Sequence, residues 1–357
     1  MTRALVLSEH DLGDWATRFA DGEVPARMPY GVDVLEQVGF DLRGVDQPDG
    51  RLVGKARDIV EHRVGYPVLQ GLRAAPAVAR SDVVLALLER QGMLPGLLKR
   101  HRVPPYSRTP LVIWSCWLAD DLRAADAATR RRLVSRIRAA DLITHLSRHE
   151  TEILVDAGLS EDQLFPVTYG VSHDYYTPGG GPRDLDVLAV GQDRGRDYAT
   201  LLDAVRGTPI TLDVVCRLEN LAGLDVPSNV RVHGTVPLTA YRTLLRRARV
   251  VAVPTHDLAY PSGSSVALEA ASTGAAVVVT GTRAMADYFT DGLNARLVPE
   301  SDVDAWRSVL QELAADPEQA VRLGVGARGN VVDRFNADHM WTELARVLRK
   351  RGIIPAE

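Results

Sequence analysis

The stretch Tyr260-Pro-Ser-Gly-Ser-Ser-Val-Ala-Leu-Glu269-Ala-Ala-Ser-Thr-Gly274 decides the fold, because it lies between two apolar runs. The runs cover residues 250–254 and 275–280, and each has the length and the β-branched content of a buried parallel strand. Between them, residues 264–273 are predicted to form a helix with its small apolar side chains on one face. The order strand, helix, strand is typical of a parallel α/β sheet.

The start of this helix has the composition of a phosphate-binding site. Gly263, Ser264 and Ser265 lie where the first backbone N–H groups of a helix have no intrahelical partner and its macrodipole is positive. Glycine lets a ligand approach the backbone closely. Glu269 lies one turn beyond Ser265 on the same side, so its carboxylate can accept hydrogen bonds from both hydroxyls of a ribose. The alternative is an ordinary βαβ unit in which Gly263 only makes a turn.

Similar apolar runs recur along the whole chain and alternate with helical patterns. The predicted strands are 4–7, 40–42, 82–87, 109–114, 141–146, 163–168, 185–190, 210–215, 230–233, 250–254, 275–280 and 295–298. A helix is predicted over 51–61, and another over 149–157, with Ser147 as its N-cap and Glu150 at capping-box spacing.

In the stretch 260–274, the chain resembles the family-4 retaining glycosyltransferases. The GT-B architecture of that family has two Rossmann-like domains facing a central cleft. In that family a Glu-x7-Glu segment opens the helix: the first Glu contacts the donor sugar and the second holds the nucleotide ribose. The resemblance gives Glu269 the second role. Pro261 stands at the position of the first, as in a subgroup with a Pro-x-Gly turn. Asp257 is near enough in sequence to replace the missing carboxylate and is our catalytic candidate there.

A second turn of the family carries the cations that neutralise the donor diphosphate. Here that turn starts at Gly191, has Gln192 at the usual arginine position, and supplies Arg194 and Arg196 as its cations. The sequence Arg196-Asp-Tyr198 resembles a known variant of the motif. Guanidinium groups suit phosphate because they present paired donors, so Arg196 is expected to stabilise the leaving diphosphate. The alternative is two arginines that face solvent.

Two further expectations concern the base and the acceptor. In the family a Gly-x-Val turn contacts the nucleotide base, which makes Thr235 and Val236 candidates. Family members often place a His just after the strand that here covers 109–114, and none is present in the following segment around Trp117. His10 and Asp11, in the first strand–helix loop, are candidates for the cleft, with an ordinary surface loop as the alternative.

The resemblance also implies the domain organisation. Residues 1–170 are predicted to form an acceptor domain, 171–182 a linker rich in glycine, and 183–335 the donor domain. The last segment, 336–357, is predicted to form a C-terminal helix that can cross back to the first domain.

Composition limits the functional classes. The chain has 357 residues, 46% of them hydrophobic, and a net charge of −4, which does not favour a nucleic-acid partner. No spanning run and no signal peptide are recognised, so a cytoplasmic protein is expected. Cys116 and Cys216 are expected to be buried free thiols. The basic segment 99–102 allows a membrane-surface acceptor, although charges that complement a helix dipole explain it more simply.

No metal or cofactor is expected. Asp184-Leu-Asp186 has the Asp-x-Asp pattern of metal sites in another glycosyltransferase fold, but it precedes a strand within a linker and is discounted. His145 and His149 are four residues apart, yet a helix that starts between them would not present both on one face.

The leading hypothesis is a retaining, metal-independent glycosyltransferase that transfers a sugar from a nucleotide-diphospho-sugar to an acceptor, either a small natural product or a glycolipid or polysaccharide precursor. Two alternatives stay open because the first Glu and the expected His are missing. One is a GT-B-fold nucleotide-sugar epimerase or a transferase that joins non-sugar cyclitols; the other is a non-catalytic nucleotide-sugar-binding protein. A dinucleotide oxidoreductase is disfavoured, since no Gly-x-Gly-x-x-Gly follows the first strand of either half.

Overall fold

The computed structural model describes residues 1–45 and 61–356, so the helix predicted over 51–61 lies outside the described residues apart from Glu61. The chain divides into two compact units. Unit 1 comprises Met1–Asp21, Ala26–Val167 and Met340–Glu357, and unit 2 comprises Gly22–Pro25 and Thr168–His339. The bounds of the acceptor domain, linker and donor domain given above stay a prediction.

Unit 1 is built on one parallel sheet. Its strands are β1 (Thr2–Leu7), β2 (Phe40–Gly44), β3 (Val83–Leu87), β4 (Leu111–Trp114), β5 (Leu142–His145) and β6 (Leu164–Pro166). They pair in the order β2-β1-β3-β4-β5-β6, all parallel. The helices are α1 (Leu12–Ala20), α2 (Val68–Val78), α3 (Glu89–Arg100), α4 (Leu118–Ala124), α5 (Ala127–Ile137) and α6 (His149–Asp156), with a 3₁₀ segment at Pro29–Val38.

Unit 2 repeats this plan with a second parallel sheet. Its strands are β7 (Leu185–Val190), β8 (Leu212–Val215), β9 (Val230–Val232), β10 (Ala248–Val253), β11 (Ala276–Thr280) and β12 (Arg296–Val298). The helices are α7 (Tyr198–Val205), α8 (Leu238–Arg247), α9 (Ser264–Ser272), α10 (Val303–Ala315) and α11 (Pro317–Asp333). The last helix of the chain, α12 (Ala337–Lys350), belongs to unit 1 from Met340 onward.

The central strands of the unit 2 sheet are buried on both faces, which explains the apolar runs of β10 and β11. Alternate residues of β7 enter different clusters: Leu188 packs with the side chains of α8, α9 and α11, whereas Val187 and Ala189 pack with those of α7 and α10. The strand order is β12-β11-β10-β7-β8-β9. The chain therefore runs in one direction from β7 to β9 and then continues on the other side of β7, through β10.

The observed architecture confirms the predicted fold class, α/β with two Rossmann-like six-stranded sheets. Each predicted strand corresponds to an observed one, with ends that differ by up to two residues. Two helices, α2 and α4, had not been predicted. Among the described residues, no helix combines the length and apolar content that crossing a membrane requires.

Candidate functional site

The candidate site of unit 2 lies at the switch point of its sheet. Strands β7 and β10 are neighbours, and the loops that leave their carboxyl ends, 191–197 and 254–263, are joined by backbone bonds. Asp197 N–H donates to Pro254 O at 3.1 Å, and His256 N–H donates to Gly195 O at 2.9 Å. In open α/β sheets this is where ligands bind, because the diverging connections leave a crevice there.

Arg196 projects from the first of these loops into the interior. Only 3% of its side chain is exposed, and its Nε lies 3.0 Å from Asp193 Oδ2. Its Nη1 is buried and has no hydrogen-bond partner among the described residues. A buried cationic donor that lacks an acceptor is costly, so an anion that fills this position would be bound strongly.

Two glycines make room for this guanidinium group. At Gly191, which follows β7, a Cβ would collide with Nε, Cζ and Nη2 of Arg196. At Gly263, which precedes α9 and has a left-handed φ of 81°, a Cβ would collide with Nη1 of Arg196 and with Val253. The guanidinium therefore lies against the backbone at both the end of β7 and the start of α9. The structure brings Gly191, Arg196 and Gly263 together, and their role in binding a diphosphate stays a prediction.

Asp193 connects the two loops, and the sequence analysis did not identify it. Its Oδ1 accepts hydrogen bonds from Gly195 N–H at 2.9 Å and from Ser262 Oγ at 2.8 Å, while Oδ2 pairs with Arg196. Asp followed two residues later by Gly is typical of a turn in which the side chain bonds the backbone. That local signal was present, but the bond to Ser262, which lies 69 residues away, was not visible in the sequence.

Helix α9 begins close to the predicted position. Gly263 is its N-cap and supplies no side-chain cap. The N–H of Ser264 donates to Pro261 O at 3.0 Å, so one of the three predicted phosphate donors is already used within the turn. The Ser264 hydroxyl is buried without a hydrogen-bond partner in the described part of the chain, and Ser265 is half-buried.

Glu269 lies half-buried on α9 and is held by two tyrosines. Tyr241 of α8 donates its hydroxyl to Glu269 Oε2 at 2.6 Å, and Tyr176 also hydrogen-bonds the carboxylate. Burial raises the pKa of Glu269 to about 7, although both hydroxyls and the charge of Arg196 favour the ionised form. The tyrosines were not predicted, because they lie on separate segments that only the tertiary fold brings together.

The remaining candidates of unit 2 lie nearer the surface. Asp257 is exposed on the second loop, and its N–H donates to Glu300 Oε1 at 3.0 Å. Arg194 and Thr235 are exposed, whereas Val236 is half-buried and packs against the core. Gln192, at the usual arginine position, accepts a hydrogen bond from Arg217 Nε at 3.0 Å.

The Asp-x-Asp pattern is used in surface ion pairs. Asp184 accepts two hydrogen bonds from Arg247 at 2.7 Å, and Asp186 accepts from Thr211 and Arg249. Within residues 1–45 and 61–356, no group of three or more His, Cys, Asp or Glu side chains is arranged to hold a metal ion.

In unit 1, Asp11 caps helix α1 by accepting a hydrogen bond from Asp14 N–H at 2.8 Å. His10 packs against Trp15 with ring centroids 4.7 Å apart, and burial lowers its pKa. Trp117 is half-buried just before α4. Cys116 and Cys216 are free and buried, as predicted.

Comparisons with known proteins bear on the fold and on part of unit 2. A family model described as "Glycosyl transferases group 1" matches residues 200–316, which include α9 and less than half of the chain. Solved structures resemble the chain along nearly its whole length. HepE of Anabaena in complex with UDP and glucose gives a TM-score of 0.67 at 16% identity, covering 98% of this chain and 100% of that one. The chain has the GT-B fold.

A second solved structure and two curated proteins are also similar to the chain. Sucrose-phosphate synthase from Thermosynechococcus elongatus gives a TM-score of 0.71 at 17% identity, covering 98% of each chain. The MMP alpha-(1->4)-mannosyltransferase of Mycolicibacterium hassiacum is 27% identical over 224 residues, covering 59% of this chain and 54% of that protein. The D-inositol 3-phosphate glycosyltransferase of Xylanimonas cellulosilytica is 28% identical over 225 residues, covering 54% and 53%. The chain thus spans about half the length of the curated relatives it matches.

Proposed function

We propose that this protein is a glycosyltransferase that binds a nucleotide-diphospho-sugar in unit 2 and transfers the sugar to an acceptor. The observation that carries the proposal is the buried guanidinium of Arg196, whose Nη1 has no hydrogen-bond partner in the described chain and packs against Gly263 at the start of α9. A fixed cation beside a helix N-terminus is suited to a diphosphate.

The comparisons support this choice of ligand. The matched family model covers α9, Glu269 and the candidates Thr235 and Val236. Two curated relatives are named as glycosyltransferases, and HepE was solved with UDP, with UDP and glucose, and with UDP-glucose. A uridine diphosphate sugar is therefore the first donor to test.

The proposed mechanism assigns the chemistry to charge stabilisation. Departure of the nucleoside diphosphate builds negative charge on its oxygens, and a preorganised donor such as Arg196 stabilises that charge as it forms. Glu269 would hold the ribose hydroxyls, and Thr235 and Val236 would contact the base. We propose a metal-independent transfer with retention of configuration, in which Asp257 contacts the donor sugar.

The acceptor is proposed as a small natural product or a glycolipid or polysaccharide precursor, bound by the N-terminal half. The buried thiols and the ion-paired Asp-x-Asp residues take no part in this mechanism. We propose that the protein acts in the cytoplasm, where nucleotide-sugars are the donors.

The proposal is tested by titrating the purified protein with inorganic pyrophosphate and with UDP in a calorimeter. Replacing Arg196 by Lys keeps the charge but removes the paired donors, and we expect the affinity for both ligands to fall by about tenfold to a hundredfold. Arg322→Lys is the matched control, because that arginine is 65% exposed in surface ion pairs. If the wild type and Arg196→Lys bind both ligands with equal affinity, the assignment of Arg196 to an anion site is contradicted. If the wild type binds neither ligand, the proposed donor is contradicted.

A further inference from the structure

A cavity in unit 2 has no role in the site described so far. It has a volume of about 720 Å³ and is lined by residues of α10 and α11, the turn after α9 and the segment before β7. Its lining is mainly apolar and includes Leu313 of α10 and Val321 of α11. All of its lining residues belong to unit 2. Concave sites of this size and character bind small molecules where a few polar groups converge on them.

Helix α11 exposes apolar side chains along this cavity. Val321, Val325 and Val332 have the i, i+4, i+11 spacing that places residues on one side of a helix. Their exposed fractions are 61%, 69% and 39%. Other residues of α11, among them Leu323 and Val331, form its buried side. The three valines therefore do not belong to the core of unit 2, and they form an apolar surface that is available to a ligand.

Two arginines of the cavity have no acidic partner. Arg183 donates from Nη1 to Ala248 O at 2.6 Å and from Nη2 to Thr273 O at 2.5 Å. Arg328 of α11 donates from Nη1 to Ser272 O. The acceptors of both guanidinium groups are backbone carbonyls, and neither group forms an ion pair in the part of the chain that the structure describes. Burial without a counter-charge lowers the pKa of Arg183.

The other charged residues of the cavity do not neutralise these two cations. Arg249 is a third arginine, and its Nη1 lies 3.1 Å from its own partner, Asp186 Oδ1. Asp333, at the exposed end of α11, is the one carboxylate among the described residues that line the cavity. The lining is therefore net positive. A guanidinium has five N–H donors, so donors remain beyond those that the carbonyls use.

We infer that this cavity binds an amphipathic anion, a single long-chain carboxylate whose apolar chain packs on the valines of α11 and whose head group pairs with Arg183 and Arg328. The net positive lining selects the head group, because a carboxylate forms charge-assisted hydrogen bonds with guanidinium groups. The apolar surface selects the chain, because burying it removes hydrocarbon from water. A concave site takes a separate molecule, whereas a bilayer surface is bound by a protruding apolar face.

The cavity is distinct from the proposed donor site, although both adjoin α9. The proposed diphosphate position is at the start of this helix, beside Gly263, whereas Gly274 of the cavity follows its end. A helix of 9 residues is about 13 Å long, so one small head group does not reach both ends. The inference therefore does not depend on the proposed function.

The test titrates the purified protein with laurate in a calorimeter, below the concentration at which laurate forms micelles. We expect laurate to bind, and decanoate to bind about threefold to fifteenfold more weakly because it has two fewer CH₂ groups. Butyrate lacks the chain and dodecyltrimethylammonium has a cationic head group, so both are expected to bind at least tenfold more weakly than laurate. Excess pyrophosphate is expected not to displace laurate, because it binds at the other end of α9.

Two variants test the head group and the chain separately. Arg328→Gln keeps an amide donor for Ser272 O but removes the charge, and is expected to lower laurate affinity about threefold to tenfold. Val325→Ser removes apolar surface and is expected to have an effect of similar size. Arg322→Gln is the control for the first, since that arginine lies on the same helix outside the cavity. Val155→Ser, at a 37% exposed position of unit 1, is the control for the second.

Several outcomes would overturn the inference. The first is that the wild type does not bind laurate, including the case in which it binds anionic lipid vesicles instead. The second is that dodecyltrimethylammonium binds as tightly as laurate, which would exclude a role for the arginines. The third is that Arg328→Gln and Val325→Ser bind laurate as tightly as their controls, or that pyrophosphate displaces it. Val325 is exposed, so Val325→Ser carries the test if circular dichroism shows that Arg328→Gln does not fold.

Discussion

Among single residues, Glu269 gives the clearest dependence on pH. Its pKa is raised to about 7 because burial opposes the charged form more than Tyr241, Tyr176 and Arg196 favour it. A carboxyl whose folded-state pKa exceeds its unfolded-state value stabilises the folded protein fully below the unfolded-state pKa. That contribution is lost as the pH rises from the unfolded-state pKa through the folded-state pKa.

We therefore expect Glu269→Gln, which mimics the protonated carboxyl, to gain stability relative to the wild type between pH 5 and pH 8. The gain is at most about 3 kcal/mol for a shift of this size. Urea unfolding of both proteins at several pH values measures the difference between their free energies of unfolding. The contributions of all other titrating groups cancel in that difference. A difference that does not change with pH would contradict the assigned pKa.

Gly263 provides a second test at the residue scale. Its left-handed φ of 81° disfavours any Cβ, and a Cβ there would also displace Arg196. Gly223 has a φ of 79° but open space around it, so Gly223→Ala introduces the strain alone. We expect both alanine variants to lose about 1–2 kcal/mol of stability from the backbone, and Gly263→Ala alone to lose pyrophosphate affinity as well. Equal pyrophosphate affinity in the two variants would show that Gly263 does not serve the anion site.

At the scale of secondary-structure elements, the start of α6 can be compared with the capping box that the sequence predicts. Ser147 and Glu150 have capping-box spacing, and Glu150 Oε1 does accept from Ser147 N–H, at 2.9 Å. It also accepts from Leu146 N–H at 2.9 Å, and Oε2 is buried without a hydrogen-bond partner in the described chain. The helix itself begins at His149. Burial raises the pKa of Glu150 well above its usual value.

We expect Glu150→Gln to be tolerated within about 1 kcal/mol at pH 7, because the amide keeps an oxygen acceptor and burial disfavours the charge that the substitution removes. Glu150→Ala removes the acceptor of two backbone N–H groups and is expected to cost about 2–5 kcal/mol. Urea unfolding at pH 7 compares the three proteins. If Glu150→Gln and Glu150→Ala lose a similar amount of stability, the ionised carboxylate is the form that stabilises the folded protein.

Most strands were predictable because they are short, mainly apolar runs that need no partner to be recognised. Helix α2 was missed because it contains Gly71 and Pro76, and α4 because it has only 7 residues. The candidate site was predictable only where a single segment of the sequence contains the whole pattern, as the segment around Gly263 does. Contacts such as Tyr241 with Glu269, which lie 28 residues apart, depend on how α8 and α9 pack.

At the scale of the molecule, the described candidates for donor binding all lie in residues 168–339, which form most of unit 2. A ligand that binds only the folded state stabilises it by mass action, about 2.7 kcal/mol at a hundredfold excess over Kd. A chain of two compact units need not unfold in one transition, so the stabilisation belongs to the transition in which unit 2 unfolds.

We therefore expect UDP and UDP-sugars to raise the melting temperature of that transition, followed by calorimetry or by hydrogen exchange of α9. Uridine lacks the diphosphate and is expected to give little shift, and UMP an intermediate one, because the Arg196 guanidinium contributes most to the binding of an anion. The same series on Arg196→Lys is the control, since the difference between UDP and uridine should shrink there. If uridine stabilised the protein as much as UDP, binding would depend on the nucleoside, and the buried guanidinium would need another explanation.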